Sequence, residues 1–107
     1  MKITHYCIVR TDVSFGVQMA MLLHAAGESF GKDPPKCRND GVPIYAVALA
    51  AKNEAELLLL EDKLLRKAIP HVAFREPDRN NELMAIGIVP MERGRVRNLL
   101  SSLPLIR

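Results

Sequence analysis

The sequence predicts an α/β fold, a single three-layer α/β/α domain built on a four-stranded mixed sheet. Apolar, β-prone runs alternate with helical patterns in the order strand, helix, strand, helix, strand, strand, helix. The last two strands are separated only by a brief polar break, which favours an antiparallel hairpin beside parallel strand-helix-strand units. The length of 107 residues suits one hydrophobic core, so we expect residues 1–107 to form one domain.

The first strand runs from Ile3 to Arg10, where a compact apolar run meets the polar Arg10-Thr11-Asp12. Ser14 is a suitable N-cap for the helix that follows, from about Gly16 to Phe30. This helix is apolar around most of its circumference, which predicts that neighbouring elements cover it. Gly16 would let the backbone approach a neighbour or a ligand closely.

A second strand is predicted from Ile44 to Ala51, where the sequence carries no charge. The residues before it, Gly31 to Pro43, are rich in Gly, Pro and Asn and favour a solvated loop over an anion contact. After it, Asn53 is a good N-cap with Glu56 three residues later. The inward-facing residues of this second helix are expected to be Leu57, Leu60, Leu64 and Ala68.

Pro70 ends the second helix, and the predicted hairpin joins His71–Arg75 to Leu83–Val89. Pro90 suits the first position of a last helix, expected from about Met91 to Ser102. Arg93, Arg95 and Arg97 on that helix favour a solvated face over a phosphate contact.

Composition excludes several classes of protein. Hydrophobic residues make up 49% and charged residues 25%, as in ordinary globular proteins. No apolar run reaches the roughly 18 residues that span a bilayer, and the N-terminus lacks a signal-like pattern, so we expect a cytoplasmic protein without membrane contact. Cys7 and Cys37 show no metal-ligand spacing, and no cofactor motif is present, so neither a metal nor a cofactor is expected.

Candidate chemistry lies at the carboxyl ends of the strands, where open α/β sheets commonly bind ligands. We expect Arg10, Asp12, Arg75 and Glu76 to converge there. A carboxylate beside an arginine could act as a base or orient a water molecule. The same pair often serves as a structural ion bridge instead. The residues alone favour the ion bridge. His24, within an apolar helix, is expected to be a buried structural histidine, with Glu28 as its candidate partner, rather than a catalytic one.

Several stretches together resemble the type II peptidyl-tRNA hydrolase family, in the family's order and over almost the whole chain. They are Val9-Arg10-Thr11-Asp12-Val13, Gly16 to His24-Ala25, the strand around Val47, Glu76 with Arg79, and Ala85-Ile86-Gly87-Ile88-Val89-Pro90. The resemblance implies a four-stranded mixed sheet, hydrolysis of the ester that joins a peptide to tRNA, and a possible homodimer.

The same resemblance places Val17 and Met21 where the family has a catalytic Lys and Gln, and Glu76 where it has an Asp. Val and Met supply neither charge nor a hydrogen bond to a developing oxyanion or a water. The implied catalytic candidates are Glu76, Asp12 and Arg10; the implied substrate-binding residues are Gly16, His24, Arg75, Arg79 and Asn80.

Two functions follow as alternatives. One is a hydrolase of peptidyl-tRNA or a related ester. The other is a catalytically inactive relative that serves as an RNA-binding or protein-binding module. The net charge of +3 and the pI near 9.1 would help the chain approach tRNA without identifying it as the partner.

Overall fold

The computed structural model describes residues 2–32 and 43–106. The strands are Ile3–Arg10 (β1), Ile44–Ala51 (β2), His71–Glu76 (β3), Glu82–Ile88 (β4) and Met91–Glu92 (β5). The α-helices are Phe15–Lys32 (α1), Glu54–Arg66 (α2) and Arg97–Leu100 (α3), and single 3-10 turns occupy Pro77–Arg79 and Arg93–Arg95. The described part of the chain is therefore a mixed α/β fold.

The sheet is mixed, in the order β2-β1-β4-β3. β1 pairs in parallel with β2, from Ile3 opposite Ile44 to Arg10 opposite Ala51, and it pairs antiparallel with β4. β3 and β4 form the predicted antiparallel hairpin. The predicted four strands are confirmed, and the short β5 adds a fifth that pairs with the start of β1.

Adjacent residues of β1 belong to different hydrophobic clusters. Ile8 packs in a cluster with the buried leucines of α2, whereas Val9 packs in a cluster with Met21 and Ala25 of α1. Successive side chains of a strand point to opposite faces of the sheet, which accounts for the separate clusters of Ile8 and Val9.

The predicted start of α2 is confirmed. The Asn53 side chain accepts a hydrogen bond from the Glu56 backbone N–H at 3.0 Å, while Glu56 Oε1 accepts from the Lys52 N–H at 3.1 Å. The expected inward position of Ala68 is wrong, because the helix ends before it and Ala68 adopts a positive φ of 53°. Ile69 takes its place in the core at 8% exposure.

The long last helix predicted from Met91 to Ser102 is also wrong. Met91 pairs with Thr4, and the Arg93 N–H donates to the Lys2 carbonyl at 2.9 Å, so this stretch extends along β1. Gly94 follows, and only Arg97–Leu100 forms an α-helix. A glycine in a helix interior costs about 1 kcal/mol relative to alanine, whereas the strand pairing satisfies the backbone here.

The predicted loop from Gly31 to Pro43, with Lys36, Cys37 and Arg38, lies largely outside the described residues. Within the part of the chain that the structure describes, no helix is long and apolar enough to cross a membrane.

Candidate functional site

The end of β1 carries a tightly bonded arginine. Nε of Arg10 donates to Oδ1 of Asp12 at 2.7 Å, and Nη2 donates to Oδ2 at 2.9 Å. Nη1 of the same guanidinium donates to Oε1 of Glu82 at 2.6 Å. The Arg10 side chain is only 10% exposed, whereas both carboxylate side chains are 37% exposed. All three guanidinium nitrogens therefore bind carboxylates, as in a structural ion bridge.

These contacts set the protonation states. The hydrogen bond to Asp12 raises the pKa of Arg10 above its usual value, with a further contribution from Glu82. The hydrogen bond from Arg10 lowers the pKa of Asp12. A carboxylate that is fixed as an acceptor by a buried arginine is a weak base, because protonation would break that bond.

Glu82 is the residue of this cluster that sequence reasoning missed. It opens β4, next to Arg10 in space and distant from it along the chain. The available signal was its place directly after the polar break 76–81, where a charged residue begins an apolar strand.

Glu76 and Arg79 lie at the same edge of the sheet. Glu76 ends β3 directly opposite Glu82 in the antiparallel ladder, so both side chains share one face. The charge of Arg79 also lowers the pKa of Asp12, which places its guanidinium within electrostatic range of the cluster. Asn80 lies in the turn with a positive φ of 56°. Together with Glu76, the edge presents three carboxylates and two guanidiniums.

Arg75 does not join this cluster, contrary to the sequence prediction. Both of its terminal nitrogens donate to Glu61 of α2, at 2.8 and 3.0 Å. These hydrogen bonds lower the pKa of Glu61 and raise that of Arg75. Strand alternation explains the correction: Arg75 and Glu76 are adjacent in β3, so their side chains point to opposite faces, and that of Arg75 points towards α2.

His24 and Gly16 occupy the exposed side of α1. The expectation that His24 is buried is wrong: its ring is exposed and stacks on Phe74, with ring centres 4.7 Å apart and planes within 4°. A Cβ added at Gly16 would meet no heavy atom within 4 Å outside the adjoining backbone of α1. Neither residue contacts the Arg10 cluster directly in the described hydrogen-bond network.

The two positions where the resemblance expects catalytic residues face the core. Met21 is 8% exposed and packs with Val9, Ala25, Met84 and Ala85. Val17 is half-buried and packs against the same cluster. The nearby Gln18 amide donates to the Val13 carbonyl at 2.8 Å, which ties it to the loop before α1. An ordered water therefore has no amide or ammonium partner at these two positions.

A second polar site, which we call the basic groove, lies on the face of the sheet that carries Tyr6 of β1. It has a volume of about 380 Å³ and is lined by Tyr6, Val47, Leu49, Arg93, Arg97, Leu100, Ser101 and Leu103. Beside Arg93, the exposed ring of Tyr45 lies near two cations: Lys2 Nζ is 5.6 Å and Arg93 Cζ is 5.8 Å from the ring centre. Sequence reasoning missed this site, since Tyr45 lies in β2 and Arg93 in the 3-10 turn after β5, far apart along the chain.

Arg93 is held in place by a neighbouring strand. Its Nε donates to Thr4 Oγ1 at 3.1 Å, and Thr4 pairs with Tyr45 across β1 and β2. None of the described residues that line the basic groove is acidic. The groove thus presents unneutralised positive charge beside an aromatic ring, in contrast to the carboxylate-rich edge around Arg10.

No group of three or more His, Cys, Asp and Glu within residues 2–32 and 43–106 is arranged to hold a metal ion.

No family model matches the sequence, and no curated protein matches it. Among solved structures, the fold is similar to that of Atu0240, a protein of unknown function from Agrobacterium tumefaciens strain C58. The TM-score is 0.73 at 15% sequence identity, and the match covers 100% of this chain and 99% of that chain. At this identity the likeness shows a shared α/β fold alone.

Proposed function

We propose that this protein is a noncatalytic relative of the type II peptidyl-tRNA hydrolases and binds single-stranded RNA in the basic groove. The observation that carries the proposal is Tyr45, an exposed ring flanked by Lys2 and Arg93. Proteins hold unpaired bases by stacking them on such rings while nearby cations contact the phosphates. Arg97 continues the positive charge along the groove.

Charge distribution favours the groove over the edge around Arg10 as the RNA contact. At that edge Asp12 and Glu82 already neutralise Arg10, and Glu76 adds a further negative charge. Phosphates are repelled by carboxylates and attracted by unpaired cations. The polyanion would therefore approach the face that carries Arg93 and Arg97.

The absence of catalysis rests on Met21 and Val17. Both pack in the apolar cluster beneath α1, so neither position can position a water or stabilise an oxyanion. Asp12, the carboxylate nearest to them in sequence, is engaged by Arg10. The proposed module keeps the fold of the family and lacks its catalytic Lys and Gln at these two positions.

We also propose a three-layer α/β/α arrangement. In it, α1 forms one helical layer, α2 and α3 form another, and the sheet lies between them. The separation of Ile8 and Val9 into different clusters supports this arrangement. A cytoplasmic location and a homodimer are also part of the proposal, and sedimentation equilibrium would test the dimer.

Fluorescence anisotropy of a labelled single-stranded RNA tests the RNA-binding function. Loss of one stacked base costs roughly 1–3 kcal/mol, so Tyr45→Ala should weaken binding by roughly 5- to 150-fold. Tyr45→Phe is the matched control because it keeps the ring, and its affinity should stay within about twofold of the wild type. Equal affinity of wild type and Tyr45→Ala would contradict the proposal.

A second candidate function is hydrolysis of a peptidyl-tRNA ester with Glu76 as the general base. It is favoured by one observation: Glu76 lies beside Glu82 at the sheet edge, and no described residue binds its carboxylate. Such a base contributes roughly 100- to 10,000-fold to a rate. Peptidyl-tRNA turnover that falls by this factor in Glu76→Gln, and not in the exposed control Glu92→Gln, would favour the hydrolase over the binding module.

A further inference from the structure

An open apolar cleft lies between α1 and β2, on the face of the sheet away from the basic groove, and we call it the α1–β2 cleft. Its lining residues are His5, Cys7, Met19, Leu22, Leu23, Ala26, Ala46, Val47 and Ala48. Its volume of about 370 Å³ falls within the range of roughly 300–1,000 Å³ that small-molecule sites occupy. Leu23 at its rim is 75% exposed, so this apolar surface is uncovered by the described residues.

The floor of the cleft carries its polar groups. His5 and Cys7 lie on β1 opposite Ala46 and Ala48 of β2, so small side chains leave room above them. His5 is 9% exposed and Cys7 is 7% exposed. Nε2 of His5 lies 2.7 Å from Oγ of Ser29 and 3.7 Å from Sγ of Cys7.

The hydrogen bonds of Ser29 fix the tautomer of His5. The Ser29 hydroxyl donates to the Ala25 carbonyl at 2.6 Å, and a hydroxyl has one proton to donate. Ser29 Oγ therefore accepts from His5, so Nε2 carries the imidazole proton. Nδ1 is left as a hydrogen-bond acceptor.

Nδ1 is also accessible. Both hydrogen bonds of the His5 ring use Nε2, yet no deeply buried polar side-chain atom among the described residues lacks a partner. Nδ1 must therefore reach solvent, and the ring lines the α1–β2 cleft. A nearly buried side chain thus offers one acceptor at the floor of an apolar cleft.

We propose that the α1–β2 cleft binds a small uncharged molecule with a hydrocarbon body and one hydroxyl group, and that the hydroxyl donates to Nδ1 of His5. The apolar side chains of α1 and the alanines of β2 surround the hydrocarbon body. The site is independent of the RNA-binding function, because it lies on the opposite face of the sheet.

Two features exclude charged ligands. None of the described lining residues carries a formal charge, so an ionised group would lose its hydration without a partner. Burial also lowers the pKa of His5, which keeps the imidazole neutral and its Nδ1 an acceptor. The Cys7 thiol stays protonated as well, since burial raises its pKa to about 11.

Titrations of the full chain with n-octanol, methyl n-octyl ether and octanoate, followed by amide chemical shifts, test this proposal. Octanol should bind saturably, with shifts concentrated on α1, β1 and β2. The ether lacks the donor, and loss of one hydrogen bond of about 0.5–1.5 kcal/mol should weaken its binding roughly 2- to 13-fold. Octanoate should bind more weakly than either, because its charge would be desolvated.

Two variants separate the site from folding effects. Ala46→Phe places a ring in the cleft from an exposed strand position and should abolish octanol binding. Ala55→Phe, on the exposed side of α2, is the matched control and should bind octanol like the wild type. Thermal unfolding followed by circular dichroism should show both variants folded. His5→Phe should make the affinities for octanol and the ether equal.

Equal affinity of the wild type for octanol and the ether would overturn the role of Nδ1. Shifts spread over the surface, or octanol binding that survives Ala46→Phe, would overturn the site. Sedimentation that reveals a dimer abolished by Ala46→Phe would assign the cleft to a second copy of the chain and would also overturn the proposal.

Discussion

Arg10 and Glu82 lie 72 positions apart in the sequence, yet Arg10 Nη1 donates to Glu82 Oε1 at 2.6 Å. Together with the two hydrogen bonds to Asp12, this contact ties the end of β1 to the start of β4. The polar residues at the end of β1 thus link two neighbouring strands at one end of the sheet. A guanidinium that is 10% exposed and bound by two carboxylates has little capacity left for a substrate.

The lowered pKa of Asp12 predicts a specific loss of stability in acid. Because its folded-state pKa is below the unfolded value of about 3.9, the carboxylate stabilises the fold above that pH. This contribution disappears as the pH falls through the folded-state pKa. Asp12→Asn should therefore be less stable than the wild type near pH 7 and should lose less stability on acidification, as urea unfolding at several pH values would show.

Asp78→Asn is the control for that series, since Asp78 is exposed in the turn Pro77–Arg79. Its stability should follow the wild type across the acid range. If Asp12→Asn and Asp78→Asn gave the same pH dependence, the bond between Arg10 and Asp12 would contribute nothing to the folded state.

Met21→Gln should destabilise the fold without creating a hydrolase. The amide would enter a cluster formed by Val9, Ala25, Met84 and Ala85, where burial of an unpaired polar group costs roughly 1–3 kcal/mol. Met19→Gln, at a half-buried position, should cost less. Urea unfolding and a peptidyl-tRNA assay check both statements, and hydrolysis gained by Met21→Gln at unchanged stability would contradict them.

Gly87 is predicted to set the distance between α1 and β4. A methyl group at this position would overlap Ser29 Oγ and the Ala25 carbonyl oxygen. Gly87→Ala should therefore lower the free energy of unfolding by about 1–3 kcal/mol, the usual cost of overpacking. Gly16→Ala is the matched control, because its added methyl meets open space and alanine favours a helix. Equal stabilities of the two variants would refute the close approach.

Local sequence patterns were sufficient to predict those elements whose structure depends on a single segment of the chain. The uncharged run Ile44–Ala51 forms β2 with the predicted bounds, and the cap at Asn53 begins α2 as expected. The stretch after Pro90 has a helical pattern of apolar residues, but pairing with Thr4 of β1 decides its structure. That partner is distant along the chain, so a local pattern could not reveal it.

The candidate sites show the same difference. The polar end of β1 was predictable because Arg10 and Asp12 are neighbours in sequence. Glu82 and the pairing of Arg75 with Glu61 depend on strand register and on which face each side chain takes. The basic groove needed three separate segments to meet around Tyr45, and no motif in the sequence signals that meeting.

The most direct test of RNA binding in the basic groove is the salt dependence of affinity for single-stranded RNA. Each cation that contacts a phosphate contributes about 0.7 to the slope of log affinity against log salt concentration. Arg97→Gln should reduce the slope by about this amount, whereas Arg79→Gln, which removes the same charge at the Arg10 edge, should leave it unchanged. A slope that Arg79→Gln lowers and Arg97→Gln does not would contradict the proposed site.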